Sequence, residues 1–148
     1  MTVTITPLSE REFFAWYSLF AEYAAGAGVG VTDEQVMRVW TKLQVPGAHG
    51  AVAHDESGAV IGFVHALPFE RLLQADGGFQ LEDLYVAPAQ RGQGVATALV
   101  EHVRGAAEGR QHALLRWSAR ADDAAAKALQ DKFADAAGGW VLQTVPVG

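Results

Sequence analysis

A mixed α/β fold, one sheet with helices on both faces in the order β-α-α-β-β-β-α-β-α-β, is what this sequence predicts. Three observations carry the prediction. Two helix-starting signatures, Ser9-Glu10-Arg11-Glu12 and Thr32-Asp33-Glu34-Gln35, stand ahead of apolar-periodic runs in the first third of the chain. From Gly50 onward the apolar period shortens to that of strands. Later, a strand rich in apolar and aromatic residues passes through a glycine-bearing turn into another amphipathic helix.

The elements follow in order. Residues 3–5 alternate as a short strand. The first helix carries Phe13, Phe14, Trp16, Tyr17, Phe20 and Tyr23, aromatics expected in the core and along an acceptor wall, and glycines 26, 28 and 30 end it. Val36, Met37, Val39, Trp40 and Leu43 are the apolar positions of the second helix, which stops at Pro46-Gly47. Residues 50–54 and 59–67 read as an antiparallel hairpin turning at Asp55-Glu56-Ser57-Gly58, and Pro68 closes it because proline has no ladder N–H. A polar, glycine-containing segment, residues 69–78, leads into the strand of residues 79–86, which Ala87-Pro88 ends. The next helix has Val95, Leu99 and Val103 on its apolar stripe and ends near Glu108-Gly109. Residues 113–117 form a strand, 122–136 a helix and 140–145 a last strand. Trp117 and Trp140 are expected in the core or at a dimer surface, which leaves a homodimer open. His65 and His112 are expected to be ordinary polar positions.

Composition narrows the function classes. A chain of 148 residues buries one good core and is short for two, so a single domain over 1–148 is expected. Eleven basic against 17 acidic residues give a net charge of −6, which works against nonspecific nucleic-acid binding. With no cysteine, disulfides, thiolate zinc sites and a cysteine nucleophile are excluded. His49, His54, His65, His102 and His112 form no HExxH pattern, so no metal is expected. The N-terminus lacks a basic or apolar leader, and no run approaches the ~20 apolar residues of a membrane helix. A cytoplasmic address without a membrane partner follows as the expectation.

The junction at residues 81–100, LEDLYVAPAQRGQGVATALV, is the most informative stretch. Gly92 and Gly94 allow backbone angles closed to other residues, and the helix from Val95 turns its N–H groups and positive dipole end toward the loop. An anionic group suits that place, with Arg91 as countercharge. The chain has no GxxxxGK[ST], and RGQGVA lacks the third glycine and early βαβ context of a dinucleotide fingerprint.

RGQGVA does fit [QR]-x-x-G-x-[GA], with Arg91, Gly94 and Ala96 at the fixed positions and LEDLYVAP ahead of it. On these residues the chain resembles the GNAT superfamily of acyl-CoA-dependent N-acyltransferases, and the element order extends the resemblance over nearly the whole chain. The resemblance implies a GNAT-like fold in which the motif strand and residues 113–117 run parallel and splay apart around acetyl-CoA. It implies that Leu84, Tyr85 and Val86 line the pantetheine arm, and that the N–H groups of Gly92, Gln93, Gly94, Val95, Ala96 and Thr97 hold the pyrophosphate beside the Arg91 charge, Thr97 adding its hydroxyl.

Acyl transfer to an amine needs a neutral nucleophile, a donor for the developing oxyanion and a proton for the leaving thiolate. Strict alternation puts Glu82, Leu84 and Val86 on one face and Leu81, Asp83 and Tyr85 on the other. Glu82 is the expected general base, direct or through water: the LED run resembles that of diamine acetyltransferases, whose glutamate stands nine positions before the loop arginine, as Glu82 does before Arg91. Asp83 is expected to be a structural or substrate-side carboxylate. The later helix departs from the family pattern, having Asp123 where the family often has asparagine and Gln130 where it has a tyrosine acid. Asp123 adds negative charge on the cofactor side, and Tyr85 is the alternative acid. The expected activity is acetyl-CoA-dependent N-acetylation of a small primary amine. Its rivals are a catalytically weak acyl-CoA sensor and a protein N-acetyltransferase.

Overall fold

The computed structural model describes residues 2–133 and 143–148, in two compact units, Met1–Ser118 and Ala119–Gly148. The first holds a five-stranded sheet in the order β1 (Thr4–Pro7), β2 (His49–His54), β3 (Val60–Arg71), β4 (Asp76–Val86), β5 (Leu114–Trp117). Neighbours pair antiparallel except β4 and β5, which are parallel. Its helices are α1 (Phe13–Gly26), α2 (Asp33–Leu43) and α3 (Val95–Gly109). The second unit contains α4 (Ala124–Phe133), and residues 143–148 have no regular structure. The rest of the helix predicted to residue 136, and residues 140–142 of the strand predicted at 140–145, fall outside the described residues, while residues 143–145 are not in a strand.

Local signals set the helix starts. Thr32 Oγ1 accepts the Gln35 N–H at 3.2 Å while Gln35 Oε1 accepts the Thr32 N–H at 2.8 Å, so two end groups are satisfied reciprocally. Ser9 and Glu12 make the corresponding box, with one tight turn before α1 begins. Trp16, Leu19 and Phe20 of α1 and Val36 and Leu43 of α2 are buried with Val52 and Phe63 of the sheet. Phe14, by contrast, is 82% exposed, so the aromatic run is divided between core and surface.

The two sheet faces are distinguishable by contact. Phe20 meets Phe63 and Trp16 meets His65 on the α1 face. On the other, His102 of α3 stacks on His49, and Arg110 lies over Phe79.

The structure corrects the predicted strand end at Pro68. β3 continues to Arg71 and pairs with β4 through Pro68↔Phe79 and Arg71↔Asp76, so most of the segment assigned to a polar connector is a long hairpin. Pro68 is tolerated because β2 stops pairing at Ala66, which leaves that edge of β3 without a ladder to break. The hairpin closes on a bidentate Arg71–Asp76 pair, both bonds 2.7 Å.

The His49–His102 pair, Nε2 to Nε2 at 3.2 Å, carries a pH prediction. Burial, then His102 and Arg110, lower the His49 pKa from 6.5 to about 4, and burial also lowers that of His102. The unfolded chain therefore takes up these protons first. Stability should be full above pH 6.5 and fall as the pH drops toward about 4. Urea midpoints at pH 7.5 and 5 should differ in that sense, and His49→Gln should reduce the difference.

Candidate active site

β4 and β5 pair only over Gly78↔Leu114 to Leu81↔Trp117. β4 then runs five residues further, Glu82 to Val86, without a β5 partner. Ala87 donates its N–H to Ile61 O at 2.9 Å, which fixes the alternation of the antiparallel ladder. Counting back along the register, the main-chain groups of Tyr85 and Asp83 turn to β3 and those of Leu84 and Val86 turn to the open edge. Arg91 accordingly reaches the Val86 carbonyl with its Nε, at 2.9 Å.

The turn after β4 sits beside this edge. Gly92 and Gly94 adopt left-handed angles, φ 77° and 84°, and Gly94 is the N-cap of α3. The first bond into the helix ladder runs from Ala98 N–H to Gly94 O at 3.0 Å, so the N–H groups of Gly94, Val95 and Ala96 precede the ladder and have no carbonyl one turn back. Thr97 stands in the same first turn, and Gln93 is exposed between the glycines. Val95 is buried and roots the helix start in the core. The result is an exposed, glycine-built nest at the positive end of a 15-residue helix, suited to phosphate oxygens. A Cβ at Gly94 would have open space but a backbone strained by ~1–2 kcal/mol. Gly94→Ala should therefore weaken coenzyme A binding about tenfold, read by calorimetry.

The register contains one irregularity, and it falls at the predicted base. His65 pairs with Asp83 and Ala66 with Leu81, which leaves Glu82 as the extra residue of a bulge in β4. The predicted alternation is corrected here. Phe79 lies on the α3 face, so Leu81 does too, whereas Asp83 bonds Tyr23 of α1 on the opposite face. A bulged residue shifts the pleat by one, so Leu81 and Asp83 no longer share a side. Glu82 is exposed, on the rim of the open edge.

Asp83 is the end of a hydrogen-bonded chain that the sequence did not disclose. Trp16 Nε1–H donates to His65 Nε2 at 2.9 Å. An indole nitrogen can only donate, so Nε2 is the unprotonated nitrogen and the ring proton sits on Nδ1, which donates to Asp83 Oδ2 at 2.8 Å. Tyr23 donates its hydroxyl to Asp83 Oδ1 at 2.7 Å. Burial alone would raise the Asp83 carboxyl, but the bonds from His65 and Tyr23 outweigh it and hold the pKa low. Burial first, then the bond to Asp83, pushes the Tyr23 phenol well up. Trp16 and Tyr23 are seven residues apart on one helix face, but no pattern in the sequence links them to strand positions 65 and 83.

The ring of Tyr85 lies on the α1 face beside Tyr23 and Phe63, its hydroxyl 3.4 Å from Glu22 Oε2, with Arg91 Cζ 5.4 Å from the ring centroid. In the second unit Asp123 caps α4, its Oδ1 accepting the Ala126 N–H at 3.0 Å, and Gln130 is exposed on that helix. Among the described residues no group of three or more acidic, histidine or cysteine side chains could hold a metal, and no helix is long and apolar enough to cross a membrane.

Compared with known families, residues 11–134 match the acetyltransferase (GNAT) family. The chain belongs to that family. It is thereby an acyl-CoA-dependent acetyltransferase by class, and the expected mixed α/β GNAT fold is the one observed. Solved structures agree on the fold. The chain is similar to a ribosomal-protein-alanine N-acetyltransferase from Brucella melitensis biovar Abortus 2308, at 24% identity over 99% of this chain and 100% of that one, TM-score 0.80. It is similar to an aminoglycoside antibiotic 6'-N-acetyltransferase, AAC(6')-Ih, from Acinetobacter baumannii, at 19% identity over 99% and 100%, TM-score 0.77. AAC(6')-Iy in complex with the bisubstrate analog CoA-S-monomethyl-acetylneamine resembles it at 16% identity over 99% and 100%, TM-score 0.81. Comparison with curated protein sequences found no match.

Proposed function

We propose that this GNAT chain, acting as a single domain over residues 1–148, transfers an acetyl group from acetyl-CoA to a primary amine of a small molecule by direct attack in a ternary complex. The observation that carries this reading is the open edge of β4 next to the Gly92–Gly94 nest, a strand-shaped slot ending in an anion cradle. In this reading the pantetheine arm pairs as a further strand with the outward main-chain groups of Leu84 and Val86, running past Tyr85 between them, and the pyrophosphate takes the N–H groups from Gly92 to Thr97 with Arg91 beside them.

Glu82, direct or through a water it polarises, removes a proton from the ammonium. The neutral nitrogen attacks the thioester carbonyl, an outward amide of β4 supports the oxyanion, and collapse breaks the C–S bond to give the amide and coenzyme A thiolate. A thiol of ordinary pKa, ~8.5, is a tolerable leaving group, so water or the product ammonium can return its proton without a tyrosine at position 130.

Thiol release from acetyl-CoA across a panel of small amines tests the reading. Release that requires an amine is expected. Tight cofactor binding without turnover would instead indicate a sensor, and turnover with peptide amines alone would move the acceptor to protein.

A further inference from the structure

The bulge at Glu82 poses a physical problem. A strand can relieve an extra residue by sliding one position, and a slide of one residue turns every side chain to the other face. For β4 the slide would bring Glu82 opposite His65, rotate its carboxylate and turn the main-chain groups of Leu84 and Val86 from the open edge toward β3. Something must hold the irregular register against the regular one.

We propose that Trp16, His65, Asp83 and Tyr23 form a register lock that fixes the β4 bulge, so that His65, Tyr23 and Trp16 are positioning residues for Glu82 and for the Leu84 amide. The inference rests on the acetyl-transfer reading only for its kinetic consequence. His65 is the last β3 residue before the register slips, and Asp83 is its partner immediately after the extra residue. Their side chains meet at 2.8 Å, which fastens β3 to β4 at the pair bordering the slip. Trp16, 0% exposed, holds the His65 ring from α1 and selects the tautomer that donates to Asp83. Tyr23, two turns further along α1, takes the other carboxylate oxygen. In the slid register Asp83 would leave both His65 and Tyr23, and Glu82, one methylene longer, would stand opposite His65 instead, so the two-point fit of the Asp83 carboxylate between the buried imidazole and the Tyr23 hydroxyl would be lost. Both ring nitrogens are held by protein groups, Nε2 by Trp16 and Nδ1 by Asp83, so the ring is fixed in place.

Residue-resolved amide exchange in the ligand-free protein reads the lock directly. Tyr85 N–H faces β3 and Leu84 N–H faces the open edge, so Tyr85 should be at least about 10²-fold more protected in the wild type. His65→Leu should shrink that contrast at least tenfold while Leu99 and Val100 in α3 keep their protection. His65→Asn retains a donor near the Nδ1 position and should restore most of it. In acetyl transfer, kcat should follow the same order, falling about tenfold in His65→Leu and recovering in His65→Asn. If His65→Leu does not fold, Tyr23→Phe gives the same readouts. An unchanged Tyr85-to-Leu84 contrast in these variants, or a wild-type His65 carrying its proton on Nε2 by nitrogen NMR, overturns the lock. A contrast that collapses in a protein without transferase activity upholds the lock and removes the proposed reaction instead.

Discussion

Glu82→Gln is expected to lower kcat by about 10²–10⁴-fold, the range for losing a positioned general base, while acetyl-CoA binding measured by calorimetry stays near wild type. The amide keeps the size and much of the hydrogen bonding of the carboxylate but cannot accept the ammonium proton. Reaction then depends on the small fraction of alkyl amine already neutral, which grows as the pH rises toward the amine pKa, ~10.4. The pH optimum should therefore move upward. A variant with an unshifted pH profile would remove Glu82 as the base, and the exposed rim position would then be one that binds the amine without deprotonating it.

The second large effect concerns the place where β4 and β5 join. Gly78 pairs with Leu114, and a Cβ at position 78 would sit 1.9 Å from the Leu114 carbonyl oxygen and 3.1 Å from the Phe69 ring. A backbone oxygen in a parallel ladder has no rotamer to escape into, so the strands must separate. Gly78→Ala should cost about 3 kcal/mol or more, at the high end for an overpacked site, and lower the urea midpoint followed by tryptophan fluorescence. The pairing that this substitution breaks is the closed end of the strand pair, four residues below the open edge at Glu82 to Val86. Coenzyme A affinity should fall with it, since the slot depends on β5 being held at its base. A wild-type midpoint would show that the two strands are not in contact there.

These two substitutions probe opposite kinds of information. The acidic strand, the two glycines and the helix start were legible because each acts within a few residues: glycine admits left-handed angles, and a helix start exposes N–H groups whatever lies elsewhere. The capping boxes at Ser9 and Thr32 were legible for the same reason. Pro68 misled because the cost of proline in a strand depends on whether a partner lies on its N–H side, and β2 had already ended. The Glu82 bulge was hidden because a register slip belongs to two strands at once, and alternation along β4 alone carries no record of β3.

By itself, then, the amino-acid sequence determined the order of elements from β1 to α4, the glycine turn ahead of α3, the absence of cysteine chemistry and the family to which the chain belongs. Those depend on covalent identity and on interactions one or two turns long. Only the tertiary structure decided which face Asp83 takes, that β4 outruns β5 at its open end, and that a tryptophan, a histidine and a tyrosine from distant segments converge on one carboxylate. Those depend on register and on the closeness of side chains 18 to 60 residues apart, set when helix and sheet close on a common core.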